Sequence, residues 1–237
     1  MQDPFITYEP EHPKVRIGHE ADGGYVVVNE GDVYDAFLSC GLSDETSFEE
    51  NFPYKIPSWA FDGTIPGRPK DLPEHISFVR KNIGTENTET HTNMHDIIQN
   101  YDNIFLKMDI ESHEWRWINA TDMARFRQIV IEFHGVWTGH VEQDGPSPYE
   151  KINAAMKIAN THRLVHVHAN NNVPMHFGHP PWVGEFTWIR KDVPVKGLNT
   201  KPFPDEKLDF KNVPDKPDHN ISYPPFVYQD HTLNITP

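Results

Sequence analysis

The segment IFLKMDIESHEW, residues 104–115, decides the fold of this chain. It opens with a continuously apolar run at 104–106 and then places Lys107, Asp109 and Glu111 at every second position. Continuous apolar runs are typical of strands that helices cover on both faces. If the strand continues, its period of two puts both carboxylates on one face, near the end of the strand. The alternative is that Asp109 only caps the following helix.

Short apolar runs on both sides of this segment alternate with helical patterns. The predicted strands span residues 25–28, 36–40, 58–61, 76–79, 104–109, 129–134, 164–168 and 185–190. The predicted helices span residues 47–54, 94–100, 114–118 and 148–160, the last of which begins with a capping box at Ser147 and Glu150. Strands that alternate with helices predict an open α/β sheet, which binds ligands at the carboxyl ends of its strands.

Composition and charge exclude several classes of protein. The chain has 237 residues, one cysteine and a formal net charge of −14, so we expect neither a disulfide nor a nucleic-acid partner. No run of 18 apolar residues and no secretory signal is found, so we expect a cytoplasmic protein without a membrane span. Prolines concentrate after Lys191, where apolar periodicity ends, and this predicts an extended tail.

Two predicted strands end in turns that suit a nucleotide. Residues 36–40 run into Gly41, where the absence of a side chain lets a ligand approach the backbone. Asp62 and Gly63 follow the next strand, and an acid about 20 residues beyond a glycine turn accepts hydrogen bonds from ribose in nucleotide-binding α/β folds. Ordinary turns would explain both patterns equally.

Acids and imidazoles occupy the ends of two further strands. Glu132 shares one strand face with His134, and His166 shares another with His168, with an asparagine run close behind. General bases and metal ligands are drawn from these residue types. We therefore expect this group to have a functional role, whereas a lone strand histidine is usually structural.

Together these segments resemble the FkbM-like S-adenosylmethionine-dependent methyltransferases. The resemblance covers roughly residues 14–190, and the matching stretches are RIG at 16–18, DGGYV at 22–26, CGLSDETSFE at 40–49, AFDGT at 60–64, LKMDIESHEW at 106–115, IEFHG at 131–135 and HVHANN at 166–171. The chain departs from the family at Ser112, where the family usually has glycine, and in a glycine turn with only one glycine.

The resemblance implies a Rossmann-like class I methyltransferase sheet with seven strands and a reversed hairpin at one edge. It places this domain at residues 1–190, with residues 191–237 as a tail that packs on it. The implied S-adenosylmethionine-binding residues are Gly41 near the methionine part, Asp62 at the ribose, Asn93 in the region bordering adenine, and Ser43, Ser47, Gly63, Met108 and Asp109.

For the reacting centre, the resemblance and the residue types together indicate Asp109 and His134, with Glu111 and Glu132 orienting them. His134 or His168 would take the proton of the acceptor hydroxyl. Alternatively, a magnesium or manganese ion on Asp109, Glu132 and His134 would lower the pKa of that hydroxyl.

Family members commonly methylate sugar hydroxyls, so we expect a glycan or glycosylated metabolite as the acceptor. The predicted carbohydrate-binding residues are His166, Asn170, Asn171 and Trp137. A methyltransferase of protein side chains is an alternative, because an acidic groove could take a basic peptide. The intact LKMDIE stretch and Asp62 argue against a non-catalytic carbohydrate-binding relative. The absence of GxGxxG and of a Tyr-x-x-x-Lys pair argues against a nucleotide-sugar or dinucleotide enzyme.

Overall fold

The apolar runs of the sequence form the centre of the main β-sheet. The computed structural model describes residues 3–43, 45–136, 145–175 and 179–229. Its strands are β1 (Tyr8–Pro10), β2 (Lys14–Ile17), β3 (Tyr25–Val28), β4 (Ala36–Cys40), β5 (Ser58–Phe61), β6 (Ile76–Val79), β7 (Asn82–Ile83), β8 (His91–Thr92), β9 (Ile104–Met108), β10 (Phe126–His134), β11 (His162–Ala169), β12 (Val183–Arg190) and β13 (Val195–Leu198). Its helices are α1 (Ser47–Asn51), α2 (His95–Ile98), α3 (Glu114–Ala120) and α4 (Pro148–Thr161).

The main sheet has the arrangement that the resemblance implies. Within the described ranges, seven strands pair in the order β6-β5-β4-β9-β10-β12-β11. β12 runs antiparallel to β10 and β11, whereas the other pairs of neighbours are parallel. The prediction of a mostly parallel α/β sheet with a reversed hairpin at one edge is therefore confirmed.

The elements that the sequence did not predict are very short. β7 and β8 contain two residues and β1 contains three, too few for an apolar period to stand out, whereas β2 and β13 contain four. β7 pairs with β8 in parallel, and β13 pairs with β1 in antiparallel orientation. β1 and β13 are distant in the sequence, so tertiary contacts rather than a local pattern create that pairing.

The helix ends settle one alternative. α4 has the predicted capping box, in which the Glu150 amide donates to Ser147 Oγ and the Ser147 amide donates to a Glu150 carboxylate oxygen. α3 begins at Glu114 with His113 in the cap position, so the interpretation of Asp109 as a helix cap is wrong. Ser112, which lies between Asp109 and the start of α3, has φ +77°, a left-handed conformation that favours glycine.

Aromatic side chains fill both faces of the main sheet. On one face, the Trp115 ring of α3 stacks on Phe133 of β10, with ring centroids 4.1 Å apart. On the other face, Phe37 of β4 stacks on Phe52 at 3.9 Å, beside Phe105 of β9. Burial on both faces explains why the central strands read as continuous apolar runs.

A buried glutamine attaches the β2–β3 hairpin to the sheet. Gln128 of β10 is fully buried, and its Oε1 accepts a hydrogen bond of 2.6 Å from the Val28 amide. Its Nε2 donates to the Val28 carbonyl at 2.9 Å and to the Tyr34 hydroxyl at 2.5 Å. One side chain thus satisfies both backbone groups of a buried hairpin residue.

The chain after β12 returns across the sheet. β13 pairs with β1, and residues 199–229 then contain neither helix nor strand. Phe203, Ile221 and Phe226 of this segment are buried in the same hydrophobic cluster as the sheet. The division of the chain at residue 190 stays a prediction.

Over the residues that the structure describes, no helix is both long enough and apolar enough to cross a membrane.

Replacing Gln128 with leucine should destabilise the protein while keeping a similar side-chain volume. The Val28 amide and carbonyl would lose their buried partners, at an expected cost of about 2–4 kcal/mol. For a chain of this size we expect a fall in melting temperature of roughly 5–15 °C, measured by calorimetry. The exposed Gln99, changed to leucine, is the matched control. Equal melting temperatures for the two variants would contradict the role of Gln128.

Candidate active site

A cavity of about 480 Å³ opens at the carboxyl ends of β4, β5 and β9. The chain passes from β4 outward to β5 and β6, and later returns to place β9 on the other side of β4. Such a reversal of strand order is where open α/β sheets bind ligands. The lining residues are Asp22, Gly23, Tyr25, Gly41, Leu42, Ser43, Glu45, Phe48, Glu49, Phe61, Asp62, Thr64, Lys81, Asn82, Ile83, His91, Lys107, Asp109, Ile110, Glu111 and His113.

The predicted glycine turn forms one wall of this cavity. Gly41 has φ +80°, and a Cβ at this position would overlap the Asp109 carbonyl oxygen. The Gly41 amide donates to the Phe61 carbonyl at 2.9 Å, and Lys107 donates to the Gly41 carbonyl. Glycine is therefore required because the ends of β4 and β9 meet at this point.

Asp62 faces the same turn and holds it through hydrogen bonds. Its Oδ2 accepts from the amides of Leu42 and Ser43 at 3.0 and 2.9 Å. Its Oδ1 accepts from the Thr64 amide and hydroxyl at 2.7 and 2.6 Å. Burial raises the pKa of Asp62, but these hydrogen bonds outweigh burial and lower the pKa below its usual value.

The structure brings some of the predicted cofactor residues to the cavity and leaves others away from it. Gly41, Ser43, Asp62 and Asp109 line it. Gly63, Ser47, Asn93 and Met108 are not among the described lining residues. Ser47 Oγ accepts from the His19 amide, Asn93 Oδ1 accepts from the His95 amide, and the Met108 side chain is buried in the core.

Asn82, Ile83 and His91 line the cavity where Asn93 was expected. These residues lie on the short parallel pair β7 and β8, which closes the side of the cavity beyond β5. A pairing between two-residue strands leaves no signal in the sequence, so sequence reasoning missed this wall.

Asp109, Glu132 and His134 converge beside the cavity, as the strand ends predicted. Each offers a ligand atom, and these atoms all lie within 4.8 Å of one another. His134 Nε2 is 4.0 Å from Asp109 Oδ1 and 3.3 Å from Glu111 Oε2. Asp109 Oδ1 is buried and has no hydrogen-bond partner among the described residues.

The carboxylates around His134 set its protonation. Burial lowers the pKa of His134, but the hydrogen bond and charge of Glu114, with the charges of Glu132 and Asp109, raise that pKa to about 10. Burial raises the pKa of Glu132 well above its usual value, and Asp109 and Glu185 add to that rise. The neighbouring carboxylates therefore favour the protonated form of His134.

Tyr25 is a site residue that the residue pattern did not single out. It is buried on β3, and its hydroxyl donates to Asp109 Oδ2 at 3.2 Å. The Lys107 ammonium lies 5.6 Å from the centre of the Tyr25 ring. Tyr25 belongs to the DGGYV stretch at 22–26 of the family resemblance, and the β2–β3 hairpin brings its hydroxyl to Asp109.

Two of the predicted sugar-binding residues instead anchor the C-terminal segment. His166 Nε2 lies 2.8 Å from Asp209 Oδ1, and its Nδ1 lies 3.3 Å from Lys14 Nζ. Asn171 Nδ2 donates to the Val213 carbonyl, and Asn171 Oδ1 accepts from the Val213 amide. The chain itself contacts the polar atoms of both residues, and their role in sugar binding stays a prediction.

His168 and Asn170, the other described residues predicted at this strand end, also contact side chains of the protein. His168 is buried, with Nδ1 3.4 Å from Glu185 Oε2 and Nε2 3.2 Å from Asp218 Oδ2. Asn170 Nδ2 donates to Glu132 Oε1 at 2.9 Å, which ties it to the acidic group instead of leaving it free. Trp137 lies outside the described residues.

Comparisons with known proteins add little to this picture. No family model matches the chain, and no curated protein matches it. Among solved structures, a fibrillarin pre-rRNA processing protein of Methanococcus jannaschii aligns at 14% identity over 67% of this chain and 67% of that one, with a TM-score of 0.37. Similarity of this extent defines neither a family nor a site.

The environment of His168 predicts a pH-dependent contribution to stability. Burial lowers the pKa of His168, but Glu185 and the hydrogen bonds to Asp218 and Glu185 raise it from 6.5 to about 11. Because the folded pKa exceeds the unfolded one, this contribution is complete below pH 6.5 and is lost as pH rises towards 11. Replacing His168 with glutamine should therefore destabilise the protein most at pH 6.

Urea unfolding at a series of pH values measures this effect. The difference in unfolding free energy between wild type and His168→Gln should shrink steadily from pH 7 to pH 10. The exposed His75, changed to glutamine, is the control and should show no such trend. A difference that stays constant across the range would contradict the assignment.

Proposed function

We propose that this protein is an S-adenosylmethionine-dependent methyltransferase. The observation that carries the proposal is the cavity between the Gly41 turn, Asp62 and Asp109, at the point where the strand order of the sheet reverses. The reversed strand β12 beside an otherwise parallel sheet agrees with the arrangement implied by the FkbM-like resemblance. That family assignment is part of the proposal.

The methionine part, the ribose and the adenine of this cofactor can lie one after another along the strand ends that line the cavity. We place the methionine part against the Gly41 turn, the ribose at Asp62, and the adenine between Ile83 and Ile110. At Asp62, ribose hydroxyls would replace donors such as the Thr64 hydroxyl that now occupy Oδ1. The cofactor supplies a methyl group activated by a positively charged sulfur.

Asp109 is the residue that we place against the acceptor hydroxyl. It lines the cavity, its Oδ1 has no hydrogen-bond partner among the described residues, and Tyr25 holds its other oxygen. His134 and Glu111 flank the acceptor position, and Glu132 lies behind it with Asn170. His134 and Glu111 would align the hydroxyl with the methyl group, and Asp109 would receive its proton; alignment and proton removal are the tasks of the protein in a displacement reaction.

The same residues fit a divalent cation such as magnesium or manganese. Asp109, Glu132 and His134 present two carboxylates and an imidazole at close range. His134 Nδ1 lies 3.3 Å from buried Glu114, the kind of second contact that orients a metal-bound histidine. A bound cation would lower the pKa of the acceptor hydroxyl. His168 contacts Glu185 and Asp218 and would not contact the acceptor itself.

For the acceptor, we propose a sugar hydroxyl on a glycan or glycosylated metabolite. The support is the family resemblance, together with Trp182, which is 40% exposed and offers an aromatic surface beside the end of β10. Methyl transfer to a panel of saccharides, basic peptides and RNA, followed by mass spectrometry, tests this choice. Transfer only to peptide or RNA would overturn the sugar proposal and leave the cofactor proposal standing.

S-adenosylhomocysteine, the product form of the cofactor, should bind the purified protein. Asp62→Asn should weaken this binding at least about tenfold, because a charge-assisted hydrogen bond contributes on the order of 1.5–3 kcal/mol. Isothermal titration calorimetry measures both affinities, with exposed Asp32→Asn as the charge-matched control. Absence of binding to wild type would refute the cofactor proposal.

Asp109→Asn should lower turnover by at least about a hundredfold while the melting temperature changes little, because the shape is kept and the charge is lost. Methyl transfer to the acceptor that the panel identifies provides the rate, and Asp32→Asn again serves as the control. Treatment with EDTA distinguishes proton removal by a side chain from activation of the hydroxyl by a bound cation. Activity that persists in metal-free protein would exclude the cation route, and full activity of Asp109→Asn would remove Asp109 from the reacting centre.

A further inference from the structure

An unpaired carboxylate oxygen borders the cavity at α1. Glu49 lines the cavity and is 1% exposed. Its Oε1 accepts a hydrogen bond from the hydroxyl of Ser39 on β4. Its Oε2 is fully buried and has no hydrogen-bond partner in the described part of the chain. A buried carboxylate oxygen without a donor is costly, so this atom indicates a donor that a ligand brings.

Most other acids of the cavity wall already have partners within the chain. These pairs are Asp22 with the Asn212 amide group, Glu45 with the Ser47 amide, Asp62 with the glycine turn, and Glu111 with His134. Among the described lining residues, Asp109 is the other acid with a buried, unpaired oxygen. Asp109 is occupied by the proposed reacting centre, and Glu49 has no role there.

The position of Glu49 identifies the end of the cavity that it serves. Its hydrogen-bond partner Ser39 lies on β4, two residues before Gly41, so the carboxylate is anchored below the glycine turn. Asp62 directly follows the neighbouring strand β5, at the ribose end. Glu49 therefore belongs to the methionine end of the cofactor, an inference that rests on the proposed function.

The chemistry of the cofactor selects one group for Glu49. S-adenosylmethionine carries two positive charges, the sulfonium and the α-ammonium of its amino-acid part. A sulfonium has no N–H donor, whereas an ammonium has three. We propose that Glu49 is a cofactor-binding residue whose Oε2 accepts a hydrogen bond from this α-ammonium group. The contact pairs a buried carboxylate with a cation, which such a group requires.

The test compares two ligands and two variants by calorimetry. S-adenosylhomocysteine contains the α-ammonium, and 5′-methylthioadenosine lacks the amino-acid part altogether. Glu49→Gln removes the charge with little change in shape, and Glu50→Gln makes the same change at an exposed position of the same helix. Glu49→Gln should bind S-adenosylhomocysteine at least about tenfold more weakly and methylthioadenosine within twofold of wild type.

Each outcome bears on a different claim. Equal weakening for both ligands, or an unchanged affinity for S-adenosylhomocysteine, would overturn the role of Glu49. Wild-type protein that binds neither ligand would instead refute the proposed function. If Glu49→Gln does not fold, the affinity of wild-type protein for a second ligand tests the proposal. The analogue of S-adenosylhomocysteine without its α-amino group should bind at least about tenfold more weakly, and equal affinity would overturn the proposal.

Discussion

The close approach of Gly41 to the backbone of Asp109 is the constraint on which the site depends. The Asp109 amide donates to the Cys40 carbonyl, and the Gly41 amide donates to the Phe61 carbonyl, so the ends of β4, β5 and β9 are joined. A side chain at position 41 would separate them. With the strand ends fixed, the Leu42 amide reaches Asp62 and the cavity lies between them.

Buried charge is the second organising feature, and it connects the cavity to the C-terminal segment. Glu114 of α3 is the main group that raises the pKa of His134, to about 10, and Glu185 of β12 is the main group that raises the pKa of His168, to about 11. Asp218 completes the surroundings of His168, and Asp209 those of His166. Isolated buried charges are strongly unfavourable, and the C-terminal segment supplies acidic partners for both buried histidines at this edge of the sheet.

Sequence reasoning succeeded where the signal was local. The apolar run of β9 and the glycine after β4 were predicted from the sequence, and the cavity lies where these two strands end. β9 ends at Met108, so the predicted alternation does not extend to Asp109 and Glu111. At His166 and Asn171, residue type at a strand end did not reveal that another part of the chain contacts the polar atoms. The role of these two residues in sugar binding stays a prediction.

The sequence by itself determined the central strands, the capped helix α4 and the convergence of Asp109, Glu132 and His134, because these depend on apolar periodicity and on which face a residue occupies. Only the tertiary structure decided which carboxylates remain unpaired. Asp62 is satisfied by a turn some 20 residues away, whereas Glu49 keeps one buried oxygen without a donor in the described chain. Hydrogen-bond satisfaction depends on partners that folding brings together from distant segments, and no local pattern records it.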